Sequence, residues 1–495
     1  MRVINNIKSF GNYTLDRLRT RYGGEPGGRL LALIRETVWG TDRRRNLLFI
    51  IIAISYALIL FFRLGMGPAD IIYISVSIVS LGLIIIYPFI GIIALFVSDV
   101  ILPFYEVGLR LMDIRITLTK LLGLFTVLAF FIKYTLTSRQ IRFGNKYQLV
   151  LLYIFTIIGI LSSYNAFYIK QAKLEVTRLL LNAVLYIVVV NLMADERKVL
   201  FFYHTLTLAI FSTCFYAMYE GFKLQVPRPT GGTGIPGALA LYANLGFAFL
   251  LVLFLESKKF YVKLYSIAGM LITSVGLLLS NNRSGFLAFI VTLMIQFVRK
   301  KFKYIYYVPI VIILILLLNI IPSHLTYRPL EFASKVYERG MGAVEKEPRY
   351  ALYRTGIDLF VKNPFLGVGP WNFRYIYKEE YAEKYHGRHI KLVPHSGITG
   401  LLAEFGLFAF MAFFGYIGVS AYLFRKAAKL AQLFYRPRER IIILATEAMF
   451  WSFLVWGIFQ DIAGLRFAYL YPAIGAAIYY KLLKLSEKDS VDVYR

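Results

Sequence analysis

The chain has 495 residues, of which 58% are hydrophobic and only 17% charged, with a mean hydropathy of +0.62; that excludes an ordinary soluble domain. Its apolar residues fall in blocks of roughly 17–22, each long enough as a helix to cross a hydrocarbon layer of about 30 Å. The net charge of +28 does not signal nucleic acid, because most Lys and Arg sit in short segments between apolar runs, where they anchor loops to the cytoplasmic face. The single cysteine, Cys214, excludes disulfides and thiolate metal sites within one chain.

Residues 1–45 are polar and basic and end in Arg43-Arg44-Arg45, with a flexible break at Gly23-Gly24-Glu25-Pro26-Gly27-Gly28. They read as a cytoplasmic basic tail, in which Leu30 to Trp39 could lie as a short interfacial helix on anionic head groups. The first apolar run starts near Asn46, too far along for a signal peptide. Spans are expected near 46–62, 69–86, 88–104, 116–136, 147–164, 172–192, 198–220, 237–256, 261–280, 284–299, 304–321, 396–424, 443–462 and 464–482. That is about fourteen, or about twelve if the tight pairs around Pro88 and Gly464 are re-entrant hairpins. The fold class is therefore an all-α polytopic membrane protein.

With the N-terminus inside, the even-numbered turns are cytoplasmic. They hold Lys133, Arg139, Arg142 and Lys146, then Arg197 and Lys198, Lys258, Lys259 and Lys263, Arg299 to Lys303, and Arg425 to Arg440. The short odd-numbered turns are poorer in basic residues, as the positive-inside rule requires. The chain then divides into the tail 1–45, a transmembrane bundle 46–322, a large extracytoplasmic loop 323–394, C-terminal transmembrane helices 395–482 and a cytoplasmic tail 483–495.

Away from their ends the spans offer few ionisable groups: Asp99, His204, Glu404, Glu447 and Asp461. A proton-coupled transporter would carry a row of them at mid-membrane, with broken helices in repeated halves. The sequence has neither, so transport is the weaker reading. Glu175 and Arg178, three apart, are expected to pair.

Basic residues gather at the outer face instead. Arg228 lies in the loop Val226-Pro227-Arg228-Pro229-Thr230-Gly231-Gly232. Arg283 follows Ser280, Asn281 and Asn282, all N-cap types, where one helix ends and another begins. A guanidinium beside free helical N–H groups makes an anion site; the alternative is a snorkelling interfacial arginine. Pro348 stands at the first position of another helix, on which Arg349, Tyr353, Gly356, Ile357 and Phe360 share an apolar face and Arg354 points to solvent. Asn363-Pro364 stops that helix, and Gly367 and Gly369 permit a turn with positive φ.

His395 follows Pro394 and opens a long apolar helix. The helix N-terminus and the nearby arginines disfavour imidazolium, so a neutral ring there can accept a proton from a hydroxyl. The alternative is a capping or interfacial histidine. Glu404 cannot share the face of His395 on a straight helix and reads as a buried structural acceptor, unless a kink at Gly397 or Gly400 brings it round. Glu383, His386 and His389 could hold a metal, but Gly387 and the charged surroundings favour a solvated loop. No Asp-x-Asp pair lies on the outer face, so a metal-independent site without a cofactor is expected, cationic side chains stabilising a departing diphosphate.

Three stretches, taken together and in order, resemble the O-antigen ligase / O-antigen polymerase family of bacterial membrane glycosyltransferases. Ser280-Asn281-Asn282-Arg283-Ser284-Gly285 is similar to its small-residue-Arg-Gly element. Arg349-Tyr350-Ala351-Leu352-Tyr353-Arg354 through Asn363-Pro364-Phe365-Leu366-Gly367-Val368-Gly369-Pro370-Trp371-Asn372-Phe373 is similar to its Arg…Asn-Pro-x-x-Gly-x-Gly element. His395-Ser396-Gly397 through Glu404-Phe405-Gly406-Leu407 is similar to its His-Asn…Glu-x-Gly element. Ser284 intervenes before Gly285, Ser396 stands where Asn is usual, and Tyr353 stands where Trp is common.

The resemblance implies a GT-C-like fold and an O-antigen ligase-type glycosyltransferase of the bacterial cytoplasmic (inner) membrane, both termini cytoplasmic and the active site on the outer face. Its donor would be an undecaprenyl-diphosphate-linked glycan and its acceptor a lipid or glycan hydroxyl, lipid A-core or similar, with inversion at the anomeric carbon. By position, Arg283 and Arg349 would hold the diphosphate, Arg228 would assist and His395 would serve as base. Tyr353, Arg354, Gly367, Gly369, Asn372 and Glu404 would bind substrate. The alternatives are a polymerase joining carrier-linked repeats and, in a different class, a polysaccharide exporter or flippase.

Overall fold

The structure, a computed structural model, describes residues 82–101, 108–111, 114–299, 348–385, 389–460 and 462–493. The basic tail, the expected spans 46–62 and 304–321 and most of 69–86, the first part of the expected loop 323–394, His386 and Asp461 lie outside the described residues.

The described helices follow the apolar blocks closely. They are α1 (Pro88–Ile101), α2 (Leu118–Leu136), α3 (Lys146–Ser162), α4 (Ile169–Leu192), α5 (Glu196–Met218), α6 (Pro236–Glu256), α7 (Phe260–Ser280) and α8 (Arg283–Arg299), then α9 (Pro348–Lys362), α10 (Phe373–Ile376), α11 (Gly397–Leu433), α12 (Pro437–Gly457) and α13 (Phe467–Val493). Among the described residues, eight helices are long and apolar enough to cross a membrane, by length and composition. The chain is an all-α polytopic membrane protein, with one departure among the described residues: strands β1 (Gly108–Leu111) and β2 (Ile114–Thr117) pair between α1 and α2.

Local chemistry sets the boundaries. The Asn145 side chain accepts from the N–H groups of Tyr147 and Gln148 to start α3, and Asp195 accepts from Arg197 N to start α5. Pro236 and Pro437 open α6 and α12, where a missing N–H costs nothing. Around Gly464, α12 and α13 are two helices of 21 and 27 residues.

The chain forms two compact units. In the first, residues through Leu95 together with Leu109–Ile141, Ile84, Leu122 and Ala129 form a small core and Lys133 Nζ donates to Ile86 O. The second, Phe96–Gly108 with Arg142–Arg495, is organised around α6, whose best apolar window is 89% buried. A helix so enclosed needs no polar face. It packs on α5, α7, α8 and α12, while α11 packs on α3, α9, α12 and α13.

Ionisable groups inside this second unit have structural partners. Asp99 pairs with Arg466, Glu447 with Arg299 at 2.5 Å, and His204 Nδ1 lies 3.4 Å from the Tyr265 hydroxyl. Glu175 and Arg178 pair at 3.0 Å, as their spacing predicts. Where α6 ends, Glu256 pairs with Arg440 at the start of α12, and nearby Lys481 joins Glu196 and Glu439. That end lies one α6 length, about 30 Å, from Gly237 at the other.

Candidate active site

The loop that precedes α11 is stitched into it. α11 carries a break at Gly406, whose backbone (φ 79°, ψ −177°) is open only to glycine. The break frees backbone groups, and the Asn363–Gly369 turn takes them up. Val368 N donates to Ala403 O at 2.9 Å, Gly369 N to Glu404 O at 3.0 Å, and Leu407 N to Pro364 O at 2.8 Å. Gly367 and Gly369 both have positive φ, as expected. A Cβ on Gly367 would fall 2.5 Å from the Glu404 carbonyl carbon, so only glycine allows this approach. The kink thus lies at Gly406, not at Gly397 or Gly400, because the turn docks there.

Glu404 is buried, and its side chain accepts from Phe373 N at 3.2 Å, the first residue of α10. This is the structural-acceptor role its azimuth suggests. Asn372, fully buried, accepts from Tyr168 N at 2.7 Å and donates to Pro370 O, which ties the turn to the α3–α4 connection. Asn165 Nδ2 adds a bond to Gly367 O at 3.2 Å. A small apolar core of Leu352, Leu359, Phe373, Tyr377 and Tyr381 closes on Ala403 of α11.

This platform sets α9 against the start of α11. Gly356 meets Thr399, and the Tyr353 hydroxyl lies 3.5 Å from His395 O. The buried stripe of α9 is Ala351, Leu352, Thr355 and Leu359, so Ile357 is exposed, contrary to the face expected for it. The stripe is rotated because α9 packs on the loop core as well as on α11. Arg349 and Tyr353 sit half-buried at its edge, on the His395 side. Arg354 is exposed and lies near Asp358, whose carboxylate is held below the usual range first by Lys384 and Tyr385 and, more weakly, by Arg354. Glu383 and His389 are exposed.

His395 does not open α11. Ser396 is the N-cap, its side chain accepting from Thr399 N, and the helix begins at Gly397. His395 stands one residue before the cap with φ 50°, a left-handed conformation that histidine tolerates better than most residues. Its ring is held below the ordinary imidazole pKa, first by burial and then by the Arg349 guanidinium, while the nearby Gln460 side chain works the other way. Burial, not the helix dipole, is therefore the main cause. The buried Nδ1 has no hydrogen-bond partner among the described residues.

Arg283 begins α8 at a helix break built as its neighbours predict. Asn281 (φ 49°) ends α7 in a left-handed turn, and Asn282 caps α8 by accepting from Gly285 N at 2.9 Å and Ser284 Oγ at 2.6 Å. Asn282 faces Gly237 at the start of α6, and so does Gln460: a Cβ on Gly237 would lie 3.4 Å from Asn282 Nδ2 and 3.7 Å from Gln460 Nε2. Trp456 Nε1 donates to Gly237 O at 3.0 Å, and Gly397 N donates to Ile458 O at 3.3 Å. The start of α8, the start of α6, the end of α12 and His395 therefore converge around Gln460. Arg228 is half-buried in the loop that leads to α6, braced where Glu220 accepts from Thr230 N and Gly231 N. Gln460 has no motif around it, and no sequence signal singled it out.

Residues 268–414 match the family model described as O-Antigen ligase. That bears out the family resemblance. The O-antigen ligase match contains Arg283, Arg349 and His395, the helix break and the α11 stitch, and it stops before Gln460. It points to a membrane enzyme of the glycosyltransferase type. No curated protein matches the chain.

Proposed function

We propose that the chain is an O-antigen ligase-type glycosyltransferase that moves a glycan from an undecaprenyl-diphosphate carrier to an acceptor hydroxyl, lipid A-core or similar, at the outer face of the bacterial cytoplasmic membrane. His395 takes the proton of the acceptor hydroxyl. The hydroxyl oxygen bonds to the anomeric carbon from the side opposite the diphosphate, the carbon–oxygen bond to the carrier breaks, and the configuration inverts. Arg349 and Arg283 stabilise the charge that develops on the leaving diphosphate, in place of a divalent metal, and Arg228 assists from its loop.

The observation that supports this reading is a half-buried imidazole whose pKa burial and Arg349 hold down, so that its uncharged form is favoured, and whose buried Nδ1 has no hydrogen-bond partner among the described residues. Such a pairing suits a base working next to a polyanion. The partners assigned to Asp99, Glu447, Glu404 and His204 leave no row of free mid-membrane acids to support transport among the described residues.

The test is transfer by the purified protein from a carrier-linked oligosaccharide to an added lipid acceptor, in EDTA, with and without His395→Ala. Glycosylated acceptor in EDTA, lost in the variant, is the expected result. Long chains on the carrier alone would instead identify a polymerase. Loss of transfer in EDTA would overturn the arginine mechanism.

A further inference from the structure

We infer that Arg178 and Arg374, both set against the ring of Trp371, form a subsite for a carboxylate-bearing sugar of the glycan substrate. The inference rests on the reading of the chain as an enzyme that handles a glycan, and it names a charge class for that glycan.

Trp371 follows the turn that is spliced into α11, and its φ of 64° is a left-handed conformation that a bulky side chain seldom adopts. Asn372 fixes the backbone there: its N–H donates to Gly369 O, and its side chain holds Pro370 O and Tyr168 N. The Arg374 guanidinium carbon lies 4.7 Å from the indole centroid, and that of Arg178, reaching from α4, lies 5.4 Å from it. An indole attracts a cation but does not neutralise it. Arg178 is matched by Glu175 at 3.0 Å. Arg374 has no ion pair or hydrogen bond among the described residues, and its Nε is buried without an acceptor. A guanidinium nitrogen left in that state costs free energy, and an incoming carboxylate supplies the missing acceptor.

The neighbouring groups set the charge of the ligand. The Tyr168 and Tyr375 rings lie 4.1 Å apart, with Lys391 Nζ 4.3 Å from the Tyr375 ring, and the Tyr168 hydroxyl donates to Glu379. Arg178, Arg374 and Lys391 therefore face Glu175 and Glu379, which leaves one positive charge over and suits a single carboxylate. The position of the stack ties that ligand to the candidate site. On one side Trp371 continues the turn that exchanges bonds with Ala403, Glu404 and Leu407 of α11. On the other, a Cβ on Gly464 would lie 3.0 Å from Arg178 Nη1, so Arg178 abuts the α12–α13 connection. That connection takes up Gly397 N at Ile458 O, at the start of α11 just after His395, while its own Arg466 is already matched by Asp99. The stack thus stands between two segments that border His395, where a glycan entering the candidate site would pass.

The test is binding by the purified full chain in detergent at low salt, with trigalacturonate as the probe and its methyl ester as the uncharged control. Binding is read by calorimetry and by tryptophan fluorescence; the chain has four tryptophans, so loss of the signal in Trp371→Phe assigns it. The acid should bind about 10- to 100-fold more tightly than the ester, and added salt should weaken it. Arg374→Gln should abolish that preference, and Arg374→Lys, which keeps the charge but loses the planar fork, should retain part of it. Thermal unfolding checks each variant; if Arg374→Gln does not fold, a reduced preference in Arg374→Lys carries the test. Equal affinity for acid and ester, or a preference unchanged by both Arg374 variants, would overturn the inference. So would an Arg374-dependent signal given by dihexanoyl phosphatidylglycerol at lower concentration than by trigalacturonate, since the pair would then belong to a lipid head group. The measurement needs no turnover: acid-dependent binding without glycan transfer would uphold the subsite and remove the transferase reading alone. Transfer without acid-dependent binding would remove the subsite alone.

Discussion

Charge is handled in different ways at the two ends of α6. Where α6 ends, Glu256 faces Arg440, and Lys481 gathers Glu196 and Glu439. Those contacts hold helices together and leave cation matched to anion. Toward the start of α6, Asp99 is matched by Arg466, but Arg349 has no acidic partner among the described residues and instead presses its charge on a half-buried histidine. Buried charge is costly unless it is matched, so the first arrangement is what a bundle needs for itself. The contrast separates the end where ion pairs join helices from the end where the proposed site lies.

The sharpest way to break this contrast is His395→Ala. Loss of a general base should lower kcat about 10²- to 10⁴-fold, read as glycosylated acceptor formed per minute, with the thermal unfolding midpoint little changed. Arg349→Ala should cost about 10²- to 10³-fold in kcat, the range for removing a preorganised charge stabiliser. It has a second signature. Arg349 pushes the His395 pKa down, so its removal lets that pKa rise, and the acid limb of kcat/KM moves to higher pH.

Gly406→Ala tests the platform rather than the chemistry. A Cβ at this positive-φ position would overlap Phe365 O, so the variant should lose about 1–3 kcal/mol, seen as a lowered unfolding midpoint in detergent. Lys481→Met tests the opposite end. Breaking a buried pair costs about 3–5 kcal/mol, but the Lys481 side chain is 27% exposed, so a loss of about 1–2 kcal/mol is expected. The pH profile should stay where it was, since no contact connects Lys481 to the histidine.

Much of this was legible in the sequence because the signals are local. Pro236, Pro348 and Pro437 open helices, and Asn281-Asn282 ends one and caps the next, so boundaries and the setting of Arg283 follow from short-range chemistry. Glu404 could be read as an acceptor from helical azimuth alone. Gly406 carries no such signal, because a glycine within an apolar run looks like a tolerated helical residue, and only the docking of a turn that lies about forty residues earlier opens the chain there. The face of α9 was rotated from its expected position because periodicity cannot reveal that two surfaces compete for one helix. Gln460 left no trace, since a single neutral amide gains its meaning from three other segments brought to it by the fold.

The way α11 is broken has a practical consequence for hybrid proteins. Pro364, Val368 and Gly369 exchange backbone bonds with Leu407, Ala403 and Glu404, so residues 363–369 and 403–407 behave as one spliced joint. A chimera that imports a foreign segment with its seam at residue 394 would cut through that joint and strand peptide groups in an apolar setting. Seams placed before Asn363 and after Leu407 would transplant the joint whole.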